Sequence, residues 1–134
     1  DVYKRQHLNS EYDIYTGVKK RSFDEDDFSN QNIVKCIRSE KSGQCLYFSR
    51  APIPVNRSDD KGYWLQHIGL YSYLPQALLK FVKFGKSTYE NWESLEQLRA
   101  LENNMTIGAS IIDVHLIGVD TPEDIKKVEG VLGE

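Results

Sequence analysis

The sequence predicts one α/β domain, a mixed sheet with helices flanking it. Three observations carry that reading. Two β-branched and aromatic runs, 33–38 and 44–49, flank a short turn, and a longer strand-like run covers 63–73. Two helix starts are written in capping chemistry, at Ser87 and at Thr121-Pro122. Strands and helices that alternate along the second half of the chain are the pattern of layered α/β folds.

The elements follow in order. Residues 7–32 are polar and poorly patterned, so 1–29 are expected to be loop with a start that is partly foreign to the fold, and 30–134 to form the domain. The chain opens at Asp1 without Met, from which a fragment of a longer protein is expected. Asp24-Glu25-Asp26-Asp27 lacks the ligand spacing of a Ca²⁺ loop and is expected to be solvated. Residues 33–38 and 44–49 form a hairpin around Gly43, which can take positive φ. Pro52 and Pro54 force an extended exit, because each fixes φ and restricts the residue before it.

The strand at 63–73 puts His67, Gly69, Tyr71 and Tyr73 on one face. Pro75 opens a helix with Leu78, Leu79 and Val82 at helical spacing. Ser87-Thr88-Tyr89-Glu90 is a capping box, and the helix that it opens is expected to run to about Glu102. Along it Trp92, Leu95 and Leu98 form the apolar side; Glu93 and Gln97 share the opposite side, flanked by Glu96. A strand at 109–115 and a final helix after Thr121, with Val128 and Leu132 on its apolar face, complete the series.

Composition narrows the function. Seventeen Lys and Arg against twenty Asp and Glu leave a net charge of −3, which disfavours a phosphate-backbone binder. No apolar run approaches the roughly 18–20 residues of a membrane helix. Cys36 and Cys45 are too few for a disulfide framework or a zinc site, and are read as reduced and buried in a cytoplasmic protein. Gly85-Lys86-Ser87 lacks the earlier glycine of a phosphate loop, so Ser87 is a cap. Asp120, between a strand and a capped helix, is either a plain loop acid or a ligand for a hard cation such as Mg²⁺; the residues alone leave both open. Arg50, His67, Glu93 and Gln97 each have an ordinary structural reading, yet together they could hold a polyhydroxylated acid, Arg on the carboxylate and the others on hydroxyls.

Four blocks go further. Leu46-Tyr47-Phe48-Ser49-Arg50-Ala51-Pro52-Ile53-Pro54, His67-Ile68-Gly69-Leu70-Tyr71-Ser72-Tyr73, Glu93-Ser94-Leu95-Glu96-Gln97-Leu98-Arg99 and Gly118-Val119-Asp120-Thr121-Pro122-Glu123-Asp124 resemble, in order and spacing, the carboxyl-terminal half of the 3-deoxy-manno-octulosonate (KDO) cytidylyltransferases. Asn30-Gln31-Asn32-Ile33-Val34-Lys35 resembles the family's "NPNxVK". The resemblance implies a Rossmann-like nucleotide-diphospho-sugar transferase fold, here incomplete. It implies transfer of CMP from CTP to KDO with Mg²⁺, for lipopolysaccharide synthesis, by a cytoplasmic homodimer. Asp120 matches the metal ligand; Arg50, His67, Glu93 and Gln97 match positions that hold the sugar acid, with Tyr71 and Glu96 beside them. The family's amino-terminal phosphate loop and its "GDEP" acid are absent, and "YGYR" is Tyr71-Ser72-Tyr73-Leu74 here. A cytidylyltransferase for another acid sugar, of neuraminate or 8-amino-KDO type, and a non-catalytic sugar-binding module are the alternatives.

Overall fold

The computed structural model describes residues 12–58 and 60–112. Its centre is a five-stranded sheet in the order β3-β2-β4-β1-β5. The strands are β1 (Ile14–Ser22), β2 (Lys35–Arg38), β3 (Cys45–Ser49), β4 (Tyr63–Tyr73) and β5 (Ile107–Ile111). β1 runs antiparallel to β4 and parallel to β5, which makes the sheet mixed as expected.

β1 corrects the expected loop at 1–29. Ile14, Thr16 and Val18 alternate inward and are buried, while at the far end of the strand Lys20 and Ser22 face solvent. Only three inward positions carry the period-2 signal, so in sequence the strand is drowned by its charged tail. Its place between β4 and β5 makes it an interior strand of the sheet, not an appendage. The acidic run after it closes a single 3₁₀ turn (Asp26–Ser29), with Arg21 paired to Glu25 and Asp27.

β2 and β3 form the expected hairpin, and Gly43 adopts φ 81°, the left-handed turn that the sequence required. The hairpin tip then folds across to the far side of the sheet. Ala109 N–H donates to Gly43 O at 2.8 Å, Arg38 Nε donates to Ala109 O at 2.8 Å, and Gln44 bridges Gly108. Gly108 is bare because any Cβ there would meet the Tyr12 ring at 2.2 Å.

Three short helices follow: α1 (Pro75–Phe81), α2 (Thr88–Glu93) and α3 (Gln97–Glu102). α1 buries Ala77 and Phe81 and leaves Leu78, Leu79 and Val82 44%, 65% and 65% exposed, so the apolar face expected from spacing points outward. The capping box at Ser87 forms, and its Glu90 is also gripped by Arg99 at 2.9 and 2.5 Å, which ties α3 to the start of α2. The single helix expected from Ser87 to about Glu102 is instead broken at Ser94, which sits at φ 55°, ψ 47°. The break turns Trp92 out to 75% exposure while Leu95 and Leu98 stay in the core. Trp92 therefore leaves the apolar stripe in which its spacing had placed it.

The core gathers Ile14, Val18, Cys36, Cys45, Phe48, Leu65, Leu95, Leu98 and Ile107 between sheet and helices. Trp64 is fully buried beside Phe28 and donates its indole N–H to Ser22 O at 2.8 Å. Cys36 and Cys45 are buried free thiols, sulfur to sulfur 3.6 Å apart, as the sequence suggested. Among the described residues no helix is long and apolar enough to cross a membrane.

Candidate functional site

The site begins where the edge strand β3 ends. Tyr47 and Ser49 project from alternate positions of β3, and both hydroxyls donate to Glu93 Oε2, at 3.1 and 2.6 Å. The next backbone N–H, that of Arg50, donates to Glu93 Oε1 at 3.0 Å. Burial penalises the charge of Glu93, but these bonds from Ser49, Arg50 and Tyr47 together outweigh it and hold the carboxyl below the usual range. The same pairing, with burial first, pushes the Tyr47 phenol up to about 12.

Arg50 answers in the opposite direction. Its Nε donates to Glu93 O at 2.7 Å, one Nη to Gln31 O at 3.0 Å and the other to Ser94 O at 3.1 Å. The guanidinium thus takes up carbonyls at the end of α2 that have no partner within the helix, and a cation there is favoured by the helix dipole. These contacts are why α2 stops at Glu93 with Ser94 left-handed: tertiary bonds override a sequence that contains no glycine or proline at this point. Among the described residues three of Arg50's five N–H groups are committed, leaving one on each Nη. Beneath Arg50 lies Lys35, fully buried, whose ammonium donates to Asn30 O at 2.7 Å and Arg50 O at 2.9 Å. Burial, and then the Arg50 charge, lower its pKa, with Asp27 acting against them.

A second group lies on β4. His67 is half-buried between Phe48 (ring centroids 4.9 Å) and Tyr71 (5.5 Å), and Tyr71 continues to Tyr73 at 5.9 Å. Those walls strip water from the ring and push the imidazole down to about 4, so His67 is neutral at physiological pH. Its Nε2 lies 3.1 Å from the hydroxyl of Thr16. β3 lies between the two groups: Phe48, which packs on His67, alternates with Tyr47 and Ser49, which hold Glu93, and so faces the other side of the strand.

The structure thus joins Arg50 with Glu93, and His67 with Tyr71. Gln97 is half-buried in the first turn of α3, no longer on one helix with Glu93. Glu96 is exposed just before it, near enough for its charge, after burial, to raise the Tyr73 phenol. It also lines a surface cavity of about 490 Å³ with Lys86, Glu90, Asn91, Ser94, Leu95 and Arg99. Asp120, the strand expected to reach 115 beyond Ile111, and the helix after Thr121 lie outside the described residues. Among the described residues no three His, Cys, Asp or Glu side chains cluster as a metal site would need. Sequence reasoning passed over Tyr47, Ser49, Lys35 and Thr16. Tyr47 and Ser49 were findable, since period 2 puts both on one face of the strand leading into Arg50.

The mixed five-stranded sheet with its flanking helices is about half of a nucleotide-diphospho-sugar transferase fold. The chain belongs to the cytidylyltransferase family, whose model matches residues 2–107. It is 41% identical over 131 residues to the 3-deoxy-manno-octulosonate cytidylyltransferase of Thermodesulfovibrio yellowstonii, covering 93% of this chain and 51% of that protein. It is 48% identical over 107 residues to the enzyme of the same name from Bartonella bacilliformis, covering 78% and 42%. A solved structure of CMP:2-keto-3-deoxy-manno-octonic acid synthetase complexed with CTP superposes with a TM-score of 0.77 at 28% identity, over 97% of this chain and 53% of that one. The chain spans about half the length of the curated relatives that it matches.

Proposed function

We propose that this chain is the sugar-acid side of a cytidylyltransferase that moves CMP from CTP to 3-deoxy-manno-octulosonate with release of pyrophosphate. The observation that carries the reading is the naming of relatives 41–48% identical over most of the chain, in a segment that includes Arg50, His67, Glu93 and Gln97. The CTP held by the solved relative supports the nucleotide half of the reaction.

The roles follow from the geometry. The two uncommitted N–H groups of Arg50 suit the sugar carboxylate, in charge-assisted bonds. Neutral His67 cannot serve as a cation at pH 7, so it takes a sugar hydroxyl, with Tyr71 bounding the ring. Glu93 spends three of its roughly four acceptor positions on protein donors, so it acts by fixing Arg50. Gln97 reads a further hydroxyl, with Glu96 at the rim. In-line attack of a held hydroxyl on CTP needs orientation above all, and no enzyme nucleophile is called for.

Asp120 is proposed as a ligand of Mg²⁺ on the strength of its Gly-Val-Asp-Thr-Pro-Glu-Asp setting, a single carboxylate being donor chemistry suited to a hard cation that also takes phosphate oxygens. Bound Mg²⁺ would supply charge neutralisation on the triphosphate. We further place the enzyme in the cytoplasm, as a homodimer serving lipopolysaccharide synthesis.

The test completes the chain with an amino-terminal half of the family. The completed enzyme is then supplied with CTP, Mg²⁺ and KDO, neuraminate or an 8-amino analogue in turn, and pyrophosphate release is followed. Turnover of KDO is expected. Turnover of another acid sugar without KDO, or of none despite CTP binding, overturns the reading.

A further inference from the structure

β1 and β4 lose register at one point. Tyr15 faces Ser72 and Gly17 faces Ile68, so Thr16 alone stands opposite Gly69, Leu70 and Tyr71. Such a bulge leaves backbone groups that the ladder cannot pair. Thr16 is fully buried, and its hydroxyl fills the gap. Oγ1 lies 2.7 Å from Leu70 O and 3.0 Å from Ile68 O, and 3.1 Å from His67 Nε2.

Counting protons fixes the direction of each bond. A threonine hydroxyl has one hydrogen and two acceptor positions, and a carbonyl oxygen only accepts. The hydrogen belongs to the bulge carbonyls, Leu70 O being the closer. Spending it on His67 would press an oxygen lone pair against a carbonyl at 2.7 Å. Oγ1 is therefore the acceptor toward His67, and Nε2 must carry a hydrogen. In a neutral imidazole the other nitrogen, Nδ1, is then an acceptor. Among the described residues Nδ1 has no hydrogen-bond partner.

We propose that Thr16 is a positioning residue: by committing its proton to the bulge carbonyls it locks His67 as the Nε2–H tautomer and presents Nδ1 as an acceptor for a hydroxyl of the sugar acid. The second half of this proposal rests on the function proposed above, whereas the tautomer does not. A site that needs an acceptor is lost if the ring shows N–H there instead, because two donors then face each other.

Nitrogen-15 NMR of the labelled chain at pH 7 reads the tautomer directly, with His67→Gln identifying the signals among the three histidines. A protonated Nε2 and a bare Nδ1 are expected; a protonated Nδ1 in the unaltered chain overturns the proposal, whatever the substrate. Thr16→Ser keeps the hydroxyl and is expected to keep the tautomer. Thr16→Val removes it and is expected to populate the Nδ1–H form. In the completed enzyme the valine variant should raise KM for the sugar acid about tenfold, with kcat changed less. If the valine variant folds and KM is unmoved while the tautomer shifts, the role assigned to Thr16 is wrong. Absence of any sugar-acid turnover in the unaltered completed enzyme counts against the proposed function and leaves the tautomer result to be judged alone.

Discussion

Exchanging Glu93 for glutamine removes one charge while keeping nearly the same shape, and the structure fixes what that should cost. The carboxylate accepts from Ser49, Arg50 N–H and Tyr47 at 2.6, 3.0 and 3.1 Å. With the amide oxygen kept on the Arg50 N–H, the NH2 group takes the place of Oε2 and the Ser49 and Tyr47 hydroxyls turn to accept from it. Hydrogen bonds to charged groups contribute about 1.5–3 kcal/mol against about 0.5–1.5 for neutral ones, so three bonds lose about 3 kcal/mol. Burial of the charge, the largest opposing effect, is relieved at the same time, leaving a net loss of about 1–2 kcal/mol. Glu93→Gln is thus expected to lower the urea midpoint of the chain at pH 7 with an unchanged m-value. The sign with pH is fixed as well. A carboxyl held below its unfolded value contributes stability above that value, about 4.3, and loses it as pH falls through the lower folded one. The gap between the two proteins should therefore close as pH drops from 7 toward 2. A gap of the same size across that range, or none at pH 7, would refute the reasoning. The variant should also let Tyr47 ionise below its present value of about 12, read by tyrosinate absorbance.

Three further outcomes are expected. Trp92→Ser should change stability by no more than about 0.5 kcal/mol, with little shift in melting temperature, because the ring is 75% exposed; a large loss would restore the unbroken helix. Ser94→Gly should stabilise the chain by about 1 kcal/mol in urea melts, since the left-handed backbone at φ 55° penalises a Cβ while the carbonyl that Arg50 uses is retained. Lys35→Met keeps the bulk and strands the carbonyls of Asn30 and Arg50, so a loss of about 2–4 kcal/mol is expected; in the completed enzyme KM for the sugar acid should rise with it.

Elements with strong local chemistry are legible in the sequence: the hairpin around Gly43, the strand at 63–73 and the cap at Ser87 all form where the residues put them. The failures share a cause. β1 has too few inward apolar residues to signal a strand, and becomes one because β4 and β5 supply partners on both sides. The helix break at Ser94 is imposed from forty-four residues away, by Arg50, and no local window contains that instruction. Leu78, Leu79 and Val82 have the right spacing for a buried face, yet periodicity names a stripe without saying what lies opposite it. In the site, the bonding among the named residues could not be read from their types. Arg50 and Glu93 were both expected on the sugar; in the fold each spends three bonds on protein partners, Arg50 on the carbonyls of Gln31, Glu93 and Ser94, and Glu93 on Tyr47, Ser49 and the Arg50 N–H.

The fold of the hairpin tip onto Gly108 and Ala109 makes the two outermost strands neighbours. A sheet whose rims are fastened together offers less open backbone on that flank for a stray chain to add to. It also means that the strand bearing Ser49 and the strand from which the chain runs on toward Asp120 share one anchor. A tug on either strand is felt by the other.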